Sequence, residues 1–179
     1  MRKLISYLFI SIDGVVEAPN AFLREDLYQD LAPFDETIAE QDAVLLGRKT
    51  YEEWSAFWPG SEIEPFATFI NNTPKYVVSK SLATLDWPHS HLLGGDISDE
   101  IAALKRKPGK AIGVHGSISL VQSLLTAGLI EELKVIVCPA IAGKGRRLFS
   151  REGDPIQLDL KSALTTPGGL QFLALRPRA

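Results

Sequence analysis

Residues Leu4 to Ile12 form an almost unbroken apolar run, the pattern of a strand covered on both faces. The run stops at Asp13-Gly14, a turn signal. Shorter apolar runs recur at Ala43-Val44-Leu45-Leu46, Tyr76-Val77-Val78, Leu92-Leu93, Ala111 to Val114 and Leu133 to Cys138. Helical patterns lie between them. One covers Leu23 to Gln41, interrupted at Pro33, and another Arg48 to Trp54. A third runs from an N-cap at Ser98 to Lys107, with Asp99 and Glu100 in its first turn. A fourth starts at Gly116-Ser117, puts Ile118, Val121, Leu124 and Leu125 on one face, and takes Gly128 as its C-terminal cap. Phe57 to Pro74 reads as irregular. Ile156 to Leu164 and Leu170 to Arg176 alternate as a hairpin does, with Pro167-Gly168-Gly169 in the turn. This order predicts an α/β fold: a mostly parallel central sheet, helices on both faces, and an antiparallel C-terminal edge hairpin.

The length of 179 residues suits one domain, 1–179, and a hydrophobic fraction of 45% is enough for a real core. A net charge of −3 provides no basic field for nucleic acid. The single cysteine, Cys138, excludes an intramolecular disulfide and reads as a buried thiol inside an apolar strand. The N-terminal apolar run is too short to span a bilayer, so the expected location is the cytoplasm. His89 and His91 fall in a loop without a ligand set around them, and no metal is expected.

Two strand-to-helix junctions carry the chemistry: Leu46-Gly47-Arg48-Lys49-Thr50 and Val114-His115-Gly116-Ser117-Ile118-Ser119. In each, glycine lets the backbone approach a ligand, and the helix start offers unpaired N–H groups and partial positive charge. Brought to one sheet edge, they could hold the two phosphates of a dinucleotide. Arg48 and Lys49 oppose the dipole of the helix they begin, which calls for a compensating anion. Ser79-Lys80-Ser81 adds a cation and hydroxyls past the third strand, suited to a 2′-phosphate and hence to NADP(H) over NAD. A solvated turn lysine is the other reading of Lys80.

The run from Asp42 to Glu52 resembles the cofactor-binding strand and helix of dihydrofolate reductase. Residues Gly116 to Leu125, Gly128 to Leu133 and Pro139 to Phe149 resemble the C-terminal reductase domain of the riboflavin enzymes, as does Ser11-Ile12-Asp13-Gly14. The chain is therefore similar to stand-alone dihydrofolate-reductase-like proteins, and the resemblance implies their three-layer fold. It also implies that Gly47 is a cofactor-binding residue, that Arg48, Lys49, Ser79 and Lys80 meet the adenosine 2′-phosphate, and that Thr50, Gly116, Ser117, Ile118 and Ser119 meet the diphosphate. Phe9, Ile10 and Val16 would border the nicotinamide, with His115 beside it. On the substrate side such reductases carry one acidic residue on the first helix. Asp26, Asp30, Asp35 and Glu36 all lie there, and Asp30 is the nominee. Trp54 is the nominated substrate contact, core packing being the competing role for it and for Trp58 and Phe57. A structural histidine is likewise the competing role for His115. Gly143-Lys144-Gly145 is not a P-loop, because no Ser or Thr follows the lysine, and Asp13 is expected to fix its turn.

The resulting expectation is an NADPH-dependent reductase delivering hydride to a pterin or aminopyrimidine, similar to 5-amino-6-(5-phosphoribosylamino)uracil reductase. The alternative is a non-catalytic module of the same fold that binds NADP or another small ligand. The apolar hairpin and many relatives of this kind imply a homodimer.

Overall fold

The chain builds strands β1 (Leu4–Ser11), β2 (Gln41–Gly47), β3 (Lys75–Val78), β4 (Ser90–Leu93), β5 (Ala111–His115), β6 (Glu132–Cys138), β7 (Leu158–Thr165) and β8 (Gln171–Pro177). These belong to a computed structural model that describes residues 1–149 and 155–178; positions 150–154 and 179 of the expected domain lie outside the described residues. All eight strands join one sheet in the order β4-β3-β2-β5-β1-β6-β8-β7. The pairings among β1 to β6 are parallel, and β8 meets both β6 and β7 antiparallel. This is the mixed sheet that the sequence pattern predicts.

Five helices, α1 (Ala32–Ala39), α2 (Arg48–Phe57), α3 (Phe66–Asn72), α4 (Ile97–Arg106) and α5 (Ile118–Thr126), cover it. Alternation along the strands sends neighbouring side chains to opposite faces. Leu4, Leu8, Leu45, Ile112 and Val114 pack with Ile101 and Leu104 of α4 and Val121 and Leu124 of α5. On the other face, Val44, Leu46 and Val77 pack with Ile38 of α1, Tyr51 of α2, and Phe66 and Ile70 of α3.

Local expectations needed four adjustments. Pro33 does not interrupt a helix; it sits in the first turn of α1, where the missing N–H costs nothing, after a 3-10 turn over Glu25–Leu31. The segment read as irregular contains α3, whose buried Phe66, Ala67 and Ile70 share one face. The N-cap of α4 is Asp96, not Ser98: its carboxylate accepts from the N–H of Ser98 (2.9 Å) and Asp99 (3.2 Å). The first strand ends at Ser11, leaving Ile12 64% exposed. Gly128 does end α5 as expected, at φ +65°, with the Leu129 N–H on the Leu124 carbonyl.

Lys75 is fully buried on β3, an arrangement nothing in the sequence signals. Its Nζ donates to the carbonyls of Ile70 (2.9 Å) and Thr73 (3.0 Å) at the end of α3 and lies 4.5 Å from the Trp87 ring centroid. Burial pushes the amine down to about 8, while the helix-end carbonyls supply the partners a buried amine requires. Trp87 in turn donates from Nε1 to Asn71 Oδ1 and from its backbone N–H to Tyr51 Oη, so Lys75 joins β3 to the end of α3 and Trp87 joins α3 to α2. Lys75→Met leaves two buried carbonyls unpaired. The expected loss is about 1–3 kcal/mol, read as a lower urea midpoint at unchanged m-value.

Candidate functional site

β2 and β5 are neighbours, yet the helices that follow them leave to opposite faces. Tyr51 of α2 packs in one core layer, and Ile118, Val121 and Leu124 of α5 in the other. A crevice opens at the carboxyl end of two such strands, the place where open α/β sheets bind ligands. The two junctions nominated from the sequence meet in it. Ser117 Oγ accepts from the Gly47 N–H (2.8 Å) and donates to Thr50 Oγ1 (3.0 Å). The hydroxyl that would otherwise cap α5 thereby ties the junctions together, and neither α2 nor α5 has a side-chain cap. Both helix starts keep their first-turn N–H groups for another partner. Gly116 turns the chain at φ +61°, and a Cβ there would lie 3.1 Å from Trp54 Cζ2 and 3.2 Å from Thr50 Cγ2. Ile118 is buried in the core, whereas Ser119 faces outward.

The cations divide. Arg48 and Lys49 are exposed and pair with Glu52 (3.1 Å) and Glu53 (3.9 Å) one turn along α2. The negative charge that these two cations call for is thus partly supplied within the helix. Lys80 has no carboxylate partner among the described residues. With Val78, Ser79, Leu93, Gly95, Asp96 and Ile97 it borders a cavity of about 330 Å³. Ser79 is buried, and its Oγ accepts from the N–H of Ser81 and Leu82, so this hydroxyl shapes the turn that presents Lys80. Asp96 puts an acid in the same cavity, with Oδ1 committed to the α4 cap. One cation escaped the sequence reading: Arg146 donates to Ser119 Oγ (2.7 Å) at the first turn of α5. Only the fold brings residues 27 positions apart to one helix start.

Phe9 and Ile10 are half-buried at the carboxyl end of β1, and Val16 is buried beyond the turn. Asp13 fixes that turn, as expected. Its carboxylate accepts from Ser11 Oγ (2.7 Å) and from the N–H of Ala142 (2.9 Å) and Gly143 (3.0 Å), bonds that hold its carboxyl down to about 2. Backbone bonds from Val16 N to Arg146 O and from Leu148 N to Gly14 O complete the clasp between the two loops. Asp30 is half-buried; its Oδ2 accepts from Thr166 Oγ1 (2.7 Å) and the Gly168 N–H (2.7 Å), binding it to the β7–β8 turn. Trp54 stands edge-on to Trp58 and Phe66.

His115 is 3% exposed, and Phe66, Phe69, Tyr7 and Trp54 surround its ring at 5.6 to 6.4 Å. Its Nε2 lies 2.8 Å from Gln41 Oε1, and burial pushes its pKa down to about 4. Gln41 is the other site neighbour the sequence did not disclose: it reads only as the end of the helical stretch from Leu23, whereas it begins β2. Among the described residues no cluster of His, Cys, Asp or Glu could hold a metal ion, and no helix is long and apolar enough to cross a membrane.

The model of the RibD C-terminal domain family matches residues 2–172. Among solved structures, the chain is similar to a putative riboflavin biosynthesis protein from Shewanella sp. PV-4, with a TM-score of 0.78 and 17% identity over 99% of both chains. It is similar to a diaminohydroxyphosphoribosylaminopyrimidine deaminase/5-amino-6-(5-phosphoribosylamino)uracil reductase from Thermotoga maritima, with a TM-score of 0.69 and 16% identity over 99% of this chain and 57% of that one. Dihydrofolate reductase from Enterococcus faecalis, solved with NADP(H), gives a TM-score of 0.68 and 14% identity over 99% of this chain and 97% of that one. These likenesses show a dihydrofolate-reductase-like fold.

The buried imidazole has a measurable signature. Its folded pKa of about 4 lies below the unfolded value of about 6.5. The stability this group contributes is therefore complete above pH 6.5 and is lost as pH falls through 4. His115→Phe is expected to flatten the urea midpoint across that window relative to wild type.

Proposed function

The chain belongs to the RibD C-terminal domain family, and from that premise we propose that it is an NADPH-dependent reductase of a small pterin- or aminopyrimidine-type substrate. The observation that carries this reading is the pair of uncapped helix starts joined through Ser117 at the crevice between β2 and β5. The residues there fit a dinucleotide. Gly116 is exposed and must stay bare, since a Cβ would crowd Trp54 and Thr50, and two helix starts offer N–H groups to a diphosphate. Thr50, Gly116, Ser117, Ile118 and Ser119 would take the diphosphate, with Arg146 closing over it. Lys80, with Arg48, Lys49 and the turn held by Ser79, would take the 2′-phosphate, the charge that separates NADPH from NADH. Phe9, Ile10 and Val16 would present an apolar, water-excluding edge to the nicotinamide. When bound, the cofactor supplies the hydride. Trp54 walls the substrate side. Asp30 is the proposed proton donor: the hairpin turn fixes Oδ2 and leaves Oδ1 outside the bonds among the described residues.

The solved neighbours support the reading: one is a putative riboflavin biosynthesis protein, one a deaminase/5-amino-6-(5-phosphoribosylamino)uracil reductase, and one a dihydrofolate reductase complexed with NADP(H). A second reading, a ligand-binding module without turnover, draws on the structural use of Asp30 Oδ2. The two part on one measurement: NADPH oxidation with an aminouracil or dihydropterin supports the reductase, and tight binding with no oxidation across such a panel supports the module. By calorimetric titration NADPH is expected to bind at least about tenfold more tightly than NADH, and Lys80→Ala to remove most of that preference. Equal affinities for the two cofactors would overturn the assignment.

The same reading includes a homodimer in a cytoplasmic setting. Leu160, Ala163, Leu173 and Leu175 share one face of the edge hairpin by register, and Leu160 stays 60% exposed. Sedimentation is expected to show a dimer that Leu160→Glu dissociates; a monomeric wild type at working concentrations rules it out.

A further inference from the structure

Among the described residues, four buried polar side-chain atoms have no hydrogen-bond partner, and two of them, Tyr7 Oη and Trp58 Nε1, belong to a single aromatic cluster. In that cluster Tyr7 lies 4.8 Å from Phe34 and Trp58 lies 4.7 Å from Phe66, between ring centroids. His115 sits between them, 6.3 Å from Tyr7 and 5.6 Å from Phe66. Unpartnered buried donors are costly, and several in one cluster ask for a common explanation.

The hydrogen bonds of His115 define its tautomer. Gln41 Nε2 donates to the Thr37 carbonyl (3.0 Å), which orients the amide and turns Oε1 toward the imidazole Nε2 at 2.8 Å. An amide oxygen only accepts, so Nε2 carries the proton and Nδ1 is a bare lone pair. No group among the described residues donates to Nδ1. The arrangement depends on Gly113, which lies between the two residues on β5: a Cβ there would overlap Gln41 Oε1. His115 is also well placed for chemistry. It precedes Gly116 of the diphosphate junction and pairs in register with Tyr7, two residues before Phe9 on β1.

We propose that His115 is a specificity-determining residue, whose Nδ1 accepts a hydrogen bond from a ring or exocyclic N–H of an aminopyrimidine substrate, and that Gln41 is the positioning residue that holds the imidazole in the Nε2–H form. Tyr7 Oη–H and Trp58 Nε1–H are the matching donors for the ring's carbonyl oxygens. An edge of alternating donors and acceptors selects this class over a purely apolar ring. The assignment rests on the reductase reading above.

The test uses the whole chain saturated with NADPH, nitrogen-15 label in the histidines, and 5,6-diaminouracil as the probe. His115 is expected to show the Nε2–H tautomer, and the probe to shift its Nδ1 resonance while Nε2 stays in place. The double variant Gln41→Leu/His115→Phe removes the acceptor and its partner together, so neither the imidazole nor the side-chain amide is left behind unpaired. It is expected to lose about tenfold or more in probe affinity, read at an NADPH concentration that saturates the variant. If that variant does not fold, the resonance of the wild-type imidazole decides alone. An Nδ1 signal indifferent to the probe, equal probe affinity in the folded double variant, or no probe binding to NADPH-loaded wild type overturns the assignment. Failure of NADPH itself to bind overturns the reductase reading instead, and the first titration of the series detects it.

Discussion

The upper edge of the molecule depends on one hydroxyl. Ser117 accepts from Gly47 and donates to Thr50, and so fastens two chain segments that diverge to opposite faces of the sheet. Without it, the crevice between β2 and β5 would separate two unrelated helix starts. With it, those starts form one surface of N–H groups, with Gly116 at its floor and Trp54 packed above. The choice has a local energetic side. A serine at the N-cap normally satisfies its own helix, and here that satisfaction is exchanged for a link between elements 70 residues apart.

What could be read from the sequence follows from what depends on near neighbours. Continuous apolar runs revealed the parallel strands, because a strand buried on both faces has no polar side to show. Alternation revealed the β7–β8 hairpin, and glycines marked the two junctions. The misreadings have equally local causes. Helix α3 is seven residues long and lies among prolines, too short for its apolar face to register as a period. Arg48 and Lys49 oppose the helix dipole, yet Glu52 and Glu53 one turn further on balance part of their charge.

The long-range partnerships could not be read at all. Gln41 and His115 are 74 positions apart, and nothing in either neighbourhood indicates a contact. Lys75 resembles an ordinary loop lysine in sequence, yet it is buried against a helix end and an indole ring. The nominated site residues also separate by use. Lys80 and Ser119 offer side chains outward, whereas Ser79 and Asp30 already hold turns in place. A resemblance places a residue in the right region, and only its bonds show how much of it remains for a ligand.

The clasp around Asp13 bears on how a ligand is received. Loop 11–16 is tied to the segment 140–148 by a carboxylate and three main-chain bonds, two of which make up the antiparallel bridge between Val15 and Arg147, so the two stretches form a single stiff rim. Their conformational freedom is given up when the chain folds, before any ligand arrives. Association at this edge then has little disorder left to remove from the first loop, and its affinity reports contacts formed more than motion lost.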